Sequence, residues 1–85
     1  MKEKQKEKRR GSVLPAAGEP YIAVSGNREI LIEGSKGVLE YTAEAVRVNT
    51  DPMLMTVGGR GLNLKCISDS ALIINGFITG ISFEV

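Results

Sequence analysis

From residue 21 onward the chain alternates short apolar runs with clusters of Gly, Asn, Asp and Ser. YIAVSGN (21–27) and REILIEG (28–34) are two β-prone runs around Ser25-Gly26-Asn27. Ile30 and Ile32 point one way, while Glu29, Leu31 and Glu33 point the other. Residues 21–33 therefore predict a β-hairpin. Gly34-Ser35-Lys36-Gly37 is a second turn, and NTDP (49–52) is a third, where Pro52 cannot continue a central strand. MLMTV (53–57) puts Met53, Met55 and Val57 on one face. Gly58-Gly59-Arg60-Gly61 reads as a hairpin turn. LNLKC (62–66) alternates with Leu62, Leu64 and Cys66 inward. After Ser68-Asp69-Ser70 come ALIIN (71–75) and then FITGISFEV, with Phe77, Thr79, Ile81, Phe83 and Val85 on one face.

GVLEYTAEAVRV (37–48) has two readings. As a helix it places Val38, Tyr41, Ala45 and Val48 near one face. As strands it has Leu39/Tyr41 and Val46/Val48 as two sets of opposite parity, joined by a bend or bulge at Thr42-Ala43-Glu44. The glycine start and the β-branched and aromatic ends favour strands. A single helical turn over 42–45, capped by Thr42, stays open.

Punctuation every eight to ten residues predicts an all-β domain. Seven or eight short, mostly antiparallel strands would form a small barrel-like or sandwich domain, since no connection is long enough for an ordinary crossover helix. GLxLxC (61–66) and GxIxGIxF (76–83) also suggest a polymerising β-solenoid, although no fixed period spans three repeats.

Charge divides the 85 residues. Residues 1–10 carry six Lys or Arg against two Glu, whereas residues 11–85 carry five basic against eight acidic side chains. Residues 1–19 read as a basic disordered tail and a Pro/Gly-rich linker, and residues 20–85 as the folded domain. The tail reads as a solubilising end or as a segment that contacts an anionic surface. Arg28, Lys36, Arg47, Arg60 and Lys65 are scattered through the body, so no specific nucleic-acid face is predicted. A lone cysteine excludes an intramolecular disulfide, and no apolar run approaches a membrane span or a signal-like segment. A reducing, cytoplasmic setting is the expectation.

Chemistry is sparse. The chain has no histidine, which removes the commonest general base and metal ligand. Cys66 reads as a buried core thiol. Glu40 and Glu44 would share a face only on a helix; as strands they are ordinary surface acids, as are Glu29, Glu33 and Asp51. GGRG (58–61) lacks the remainder of a phosphate-binding loop, leaving Arg60 as an exposed turn residue. No catalytic, cofactor-binding or metal-binding residue is assigned, and no cofactor is expected. ITGISFEV, if it lies at a sheet edge, offers a docking edge to another chain, which favours assembly over catalysis.

Three segments, IEGSKGVLEYTAEAVRVNT, MLMTVGGRGLNLKCIS and ALIINGFITGISFE, carry a family likeness across about residues 28–84. Gly37, Leu39, Glu40 and Tyr41 form a Gly-Val-Leu-Glu-aromatic segment, and Val46 and Arg47 an apolar–Arg step. Gly59 and Leu62 fall in the next strand region. Ile74, Gly76, Ile78, Ile81 and Phe83 close the pattern. In these features the chain resembles the YabP/YqfC family of sporulation proteins. The resemblance implies a non-enzymatic role in endospore formation, in the mother cell, with no catalytic residues. It also implies a sporulation membrane protein as partner, at the membrane periphery, while self-association is the expectation from the docking edge.

Overall fold

The computed structural model describes residues 20–85. The tail and linker expected over residues 1–19 lie outside them. Six strands follow one another: β1 (Tyr21–Ser25), β2 (Glu29–Glu33), β3 (Gly37–Tyr41), β4 (Ala45–Asn49), β5 (Leu54–Cys66) and β6 (Ala71–Glu84). They form one sheet in the order β1-β2-β6-β5-β4-β3. Every neighbouring pair is antiparallel. The β3–β4 pair settles the 37–48 stretch as two strands, with Val38 opposite Val48 and Tyr41 opposite Val46. Leu39 is an extra residue in that ladder, between Val38 and Glu40. It changes the parity of β3 and leaves Leu39 exposed.

The sheet is built around one long bent hairpin. The first half of β6 pairs outward with β2, placing Ile30 opposite Ile74 and Ile32 opposite Leu72. The first half of β5 pairs outward with β4, placing Val46 opposite Val57 and Val48 opposite Met55. These two wings meet where β5 and β6 slip register. Thr79 is extra on β6, between Ile78 (opposite Gly59) and Gly80 (opposite Gly58). Gly61 and Leu62 then oppose the single residue Gly76. A bulge on each strand bends and twists the sheet, so the inner faces of the two wings close over a single core as a sandwich.

That core comprises Ile30, Ile32, Val46, Val48, Met55, Val57, Leu62, Leu72, Ile74 and Ile78. Seven of these side chains are fully sequestered, with 0% exposure. Burying each contributes about 1.5–3 kcal/mol relative to leaving it in water. The crossover from one wing to the other is the short segment 34–36. Gly34 and Ser35 N–H both donate to Ser70 O at 2.9 Å, and Lys36 N–H donates to Asn49 O at 2.7 Å. Two polar side chains are buried at this end. Ser35 Oγ accepts from Gly37 N–H at 3.1 Å, and Thr50 Oγ1 donates to Met53 O at 2.9 Å. Both are therefore satisfied, as buried hydroxyls must be.

Several expectations change. The strands number six because GGRG is no turn: β5 runs straight through residues 58–61, as β6 runs through Gly76. By local pattern these glycines resemble breaks, but they are where two continuous strands bend. The segments 61–66 and 76–83 are antiparallel stretches of one hairpin rather than stacked coils, so the solenoid reading is not supported. Strands β1 and β3 end the sheet without pairing with each other, and no barrel closes among the described residues. No helical turn forms at 42–45. Thr42 caps a tight hairpin turn instead, its Oγ1 accepting from Glu44 and Ala45 N–H at 3.2 and 3.0 Å. Cys66 is exposed. Its parity is inward, opposite Leu72, but the second half of β5 is the rim of its wing and no strand lies beyond it among the described residues. Thr79 also breaks the expected row on β6: Ile78 is buried and Phe77 is exposed, while Ile81 and Phe83 keep the inner face.

The bend depends on two missing side chains. A Cβ on Gly59 would fall onto the Phe77 carbonyl oxygen. A Cβ on Gly76 (φ 140°) would lie 2.6 Å from Gly61 O. Gly59→Ala and Gly76→Ala should each lose about 3 kcal/mol in urea unfolding. Gly80→Ala, with open space around it, should stay within about 0.5 kcal/mol of the unsubstituted chain. Because Cys66 lies on a rim, one thiol should react with an aromatic disulfide reagent in native buffer about as fast as in denaturant. A core thiol would instead react at the rate of unfolding.

Candidate functional site

An incomplete ladder distinguishes one part of this surface. Strand β2 is five residues long and on its β6 side reaches only Ala71–Asn75. The β1–β2 turn extends the contact slightly: Arg28 O accepts from Gly76 N–H at 3.1 Å, and Asn27 O accepts from Ile78 N–H at 2.8 Å. Beyond Ile78, β6 pairs on its β5 side alone, from Gly80 opposite Gly58 to Glu84 opposite Leu54. Thr79–Glu84 is therefore an open edge among the described residues. It is stiffened from within by Thr79 Oγ1, which donates to Gly58 O at 3.2 Å.

Side chains along this edge divide by face. Ile81 lies opposite Val57 and Phe83 opposite Met55, extending the inner apolar face to the rim. Val57 and Met55 are 0% exposed, whereas Phe83 is 49% exposed. On the outer face Glu84 lies 3.7 Å from Arg47, which is 4.0 Å from Glu40. At 37% exposure for the Arg47 side chain, such pairs contribute under about 1 kcal/mol. They do, however, hold the edge's acid against its own molecule.

Two of the other rims, those of β5 and β3, are better guarded against pairing. The second half of β5 carries Lys65 at its edge, and a lysine there opposes addition of a strand. It is also tied to the opposite wing: Leu64 N–H donates to Tyr41 Oη at 3.2 Å. The bulge at Leu39 interrupts β3. Strand β1 is likewise unbulged and uncharged, with Val24 half exposed. From Gly80 to Phe83 the β6 edge has neither charge, proline nor bulge.

The residues weighed for chemistry do not converge. Glu40 faces Arg47 across the β3–β4 ladder, while Glu44 sits in the turn and uses its backbone carbonyl to accept from Gly59 N–H at 3.0 Å. Glu29 and Glu33 are exposed at the two ends of β2. Asp51 N–H donates to Asn49 Oδ1 at 3.0 Å in the β4–β5 turn. Arg60 lies over the Phe77 ring, 4.8 Å from its centroid, a cation–π contact at the bend. Among the described residues no three His, Cys, Asp or Glu side chains cluster as a metal site would require. The open edge itself was visible in sequence only as an apolar alternating segment. Which strands flank it follows from the length of β2 and the bend.

A comparison with protein families matches residues 16–85 to the YabP family. No curated protein and no solved structure shows a significant match to the chain. The family match spans the whole described sheet and both long strands that build its open edge. The chain belongs to the YabP family, whose members are sporulation proteins.

Proposed function

We propose that this protein serves endospore formation as a non-enzymatic component that works by protein contact, and that the β6 edge over Thr79–Glu84 is its contact surface. Family membership supports the process. The observation that carries the surface is the one-sided ladder of β6 beyond Ile78, with half-exposed Phe83 on its inner face. An extended segment of another chain gains main-chain hydrogen bonds at such an edge and apolar contact with Phe83 and Ile81. Candidate partners are a second copy of the chain and a sporulation membrane protein. The proposed setting is the cytoplasm of the mother cell, peripheral to the membrane. The division into a basic tail and linker over 1–19 and a binding domain over 20–85 belongs to this proposal, with the tail reaching anionic surface.

Affinity capture from sporulating cells tests the reading with three forms: the unsubstituted chain, Phe83→Lys, and a chain lacking residues 1–10. Phe83→Lys should fold with an unchanged circular dichroism spectrum and lose at least tenfold of the sporulation proteins identified by mass spectrometry. Equal recovery by the folded Phe83→Lys form would place the contact surface elsewhere. Loss of membrane recovery on deleting residues 1–10 is the expected result for a surface-binding tail, and unchanged recovery would reduce it to a solubilising one.

A further inference from the structure

Resting on the reading of this edge as the contact surface, we infer that its occupant is a second copy of the chain. The two β6 strands pair antiparallel about a twofold axis at Ser82. The edge is self-complementary in that register. Antiparallel pairing about a perpendicular twofold keeps inner face with inner face. Ile81 of each copy then stands opposite Phe83 of the other, forming two aromatic–β-branched pairs, which are among the favourable cross-strand combinations. These are the two inner-face side chains of the edge that the fold itself leaves partly or half uncovered, although their ladder partners Val57 and Met55 are sealed.

Charge excludes the registers slid toward Glu84, and the Ile81–Phe83 pairing sets the other limit. Glu84 carries the only charged side chain from Ala71 to Val85. With Ser82 on the axis, Glu84 faces Gly80 of the second copy. The two Glu84 side chains are then about 14 Å apart along the strands, beyond the roughly 8–10 Å over which exposed charges act at ordinary salt. Sliding the axis to Glu84 would set the two carboxylates directly opposite, and an axis at Phe83 would leave them within diagonal reach. Each Glu84 also keeps its own Arg47 at 3.7 Å. Gly80 has open space where a side chain would stand, so the Glu84 chain of the second copy can lie across it.

The result is one eight-stranded sheet, β3-β4-β5-β6 continued by the same four strands in reverse. Pairing five residues of each strand, Gly80–Glu84, covers less than the roughly 1,200 Å² typical of stable complexes. The dimer is accordingly reversible and concentration-dependent.

Cross-linking in a Cys66→Ser background tests the register. Opposed residues on antiparallel strands lie about 4.5–5.5 Å apart at Cα, within disulfide range, whereas residues further out of register exceed about 7 Å. Ser82→Cys should oxidise to a covalent dimer. Gly80→Cys and Glu84→Cys should each cross-link at least fivefold less alone, and match Ser82→Cys when mixed. Light scattering of the unsubstituted chain should rise from monomer to dimer mass over the micromolar range, and Phe83→Lys should abolish the rise. More covalent dimer from Gly80→Cys alone, or from Glu84→Cys alone, than from Ser82→Cys would overturn the register. A chain that stays monomeric to about 1 mM would overturn self-pairing, even where Phe83-dependent capture of another sporulation protein upholds the contact surface. Dimerisation only after removal of residues 1–19 would overturn it too, by showing that the chain covers its own edge.

Discussion

Everything in this fold depends on how closely the backbones of β5 and β6 approach at Gly59 and Gly76. There a carbonyl of one strand occupies the space a Cβ would take on the other. That contact, with one bulge on each strand, turns a flat hairpin into a bent one. Without the bend, the inner faces carrying Ile30, Ile32, Leu72 and Ile74 on one side and Val46, Val48, Met55 and Val57 on the other would each face water. The two short hairpins hold the bend from outside. Asn27 and Arg28 O accept from Ile78 and Gly76 N–H, while Glu44 and Ala43 O accept from Gly59 and Leu62 N–H. The β1–β2 and β3–β4 units thus repeat one device on opposite sides: a turn that pairs with a bulge and a strand that covers half of a long neighbour.

Sharing each long strand between two wings has a cost in exposed edge. The second half of β5 is the rim of one wing, and the second half of β6 is the rim of the other. An inward-pointing residue on either rim has a core neighbour on one side only. Cys66 beside Leu72 and Phe83 beside Met55 are in this position. The fold answers the exposure unequally. Tyr41 reaches across to the β5 rim and a lysine sits on it, whereas the β6 rim keeps a neutral run ending in one ion-paired glutamate. In a domain with so few residues, a rim of that kind is apolar surface that a partner can still remove from water.

Alternation made most strands legible before any coordinates. Ile30/Ile32, Met55/Val57 and Leu62/Leu64 lie on the faces their spacing indicated, and the parity conflict in 37–48 marked a real chain reversal. The sequence offers Thr42 as a cap only within a helical turn; that turn does not form, and Thr42 caps a hairpin turn instead. Glycine was the ambiguous letter. The same residue type closes a turn at Gly26 and permits close backbone approach at Gly59, and local pattern does not separate the two uses. The reading of 58–61 as a turn followed from that ambiguity, as did the extra strands and the intact alternating row over 77–85.

Sequence alone determined the all-β class, the apolar runs that become strands, the inward faces of β2 and β4, and the family. These follow from the two-residue repeat and from turn chemistry, both local properties of the chain. Tertiary structure decided which inward-facing residues are buried. Burial depends on how many strands flank a position, and here five-residue β2 and β4 each cover only part of a far longer partner. Tertiary structure likewise turned 58–61 from a reversal into a hinge between wings, because only the opposing carbonyl of Phe77 reveals why Gly59 lacks a side chain. The rim at Thr79–Glu84, open among the described residues, is the product of both: an alternating segment with Glu84 as its one charge, written in the sequence, and the geometry of the bend.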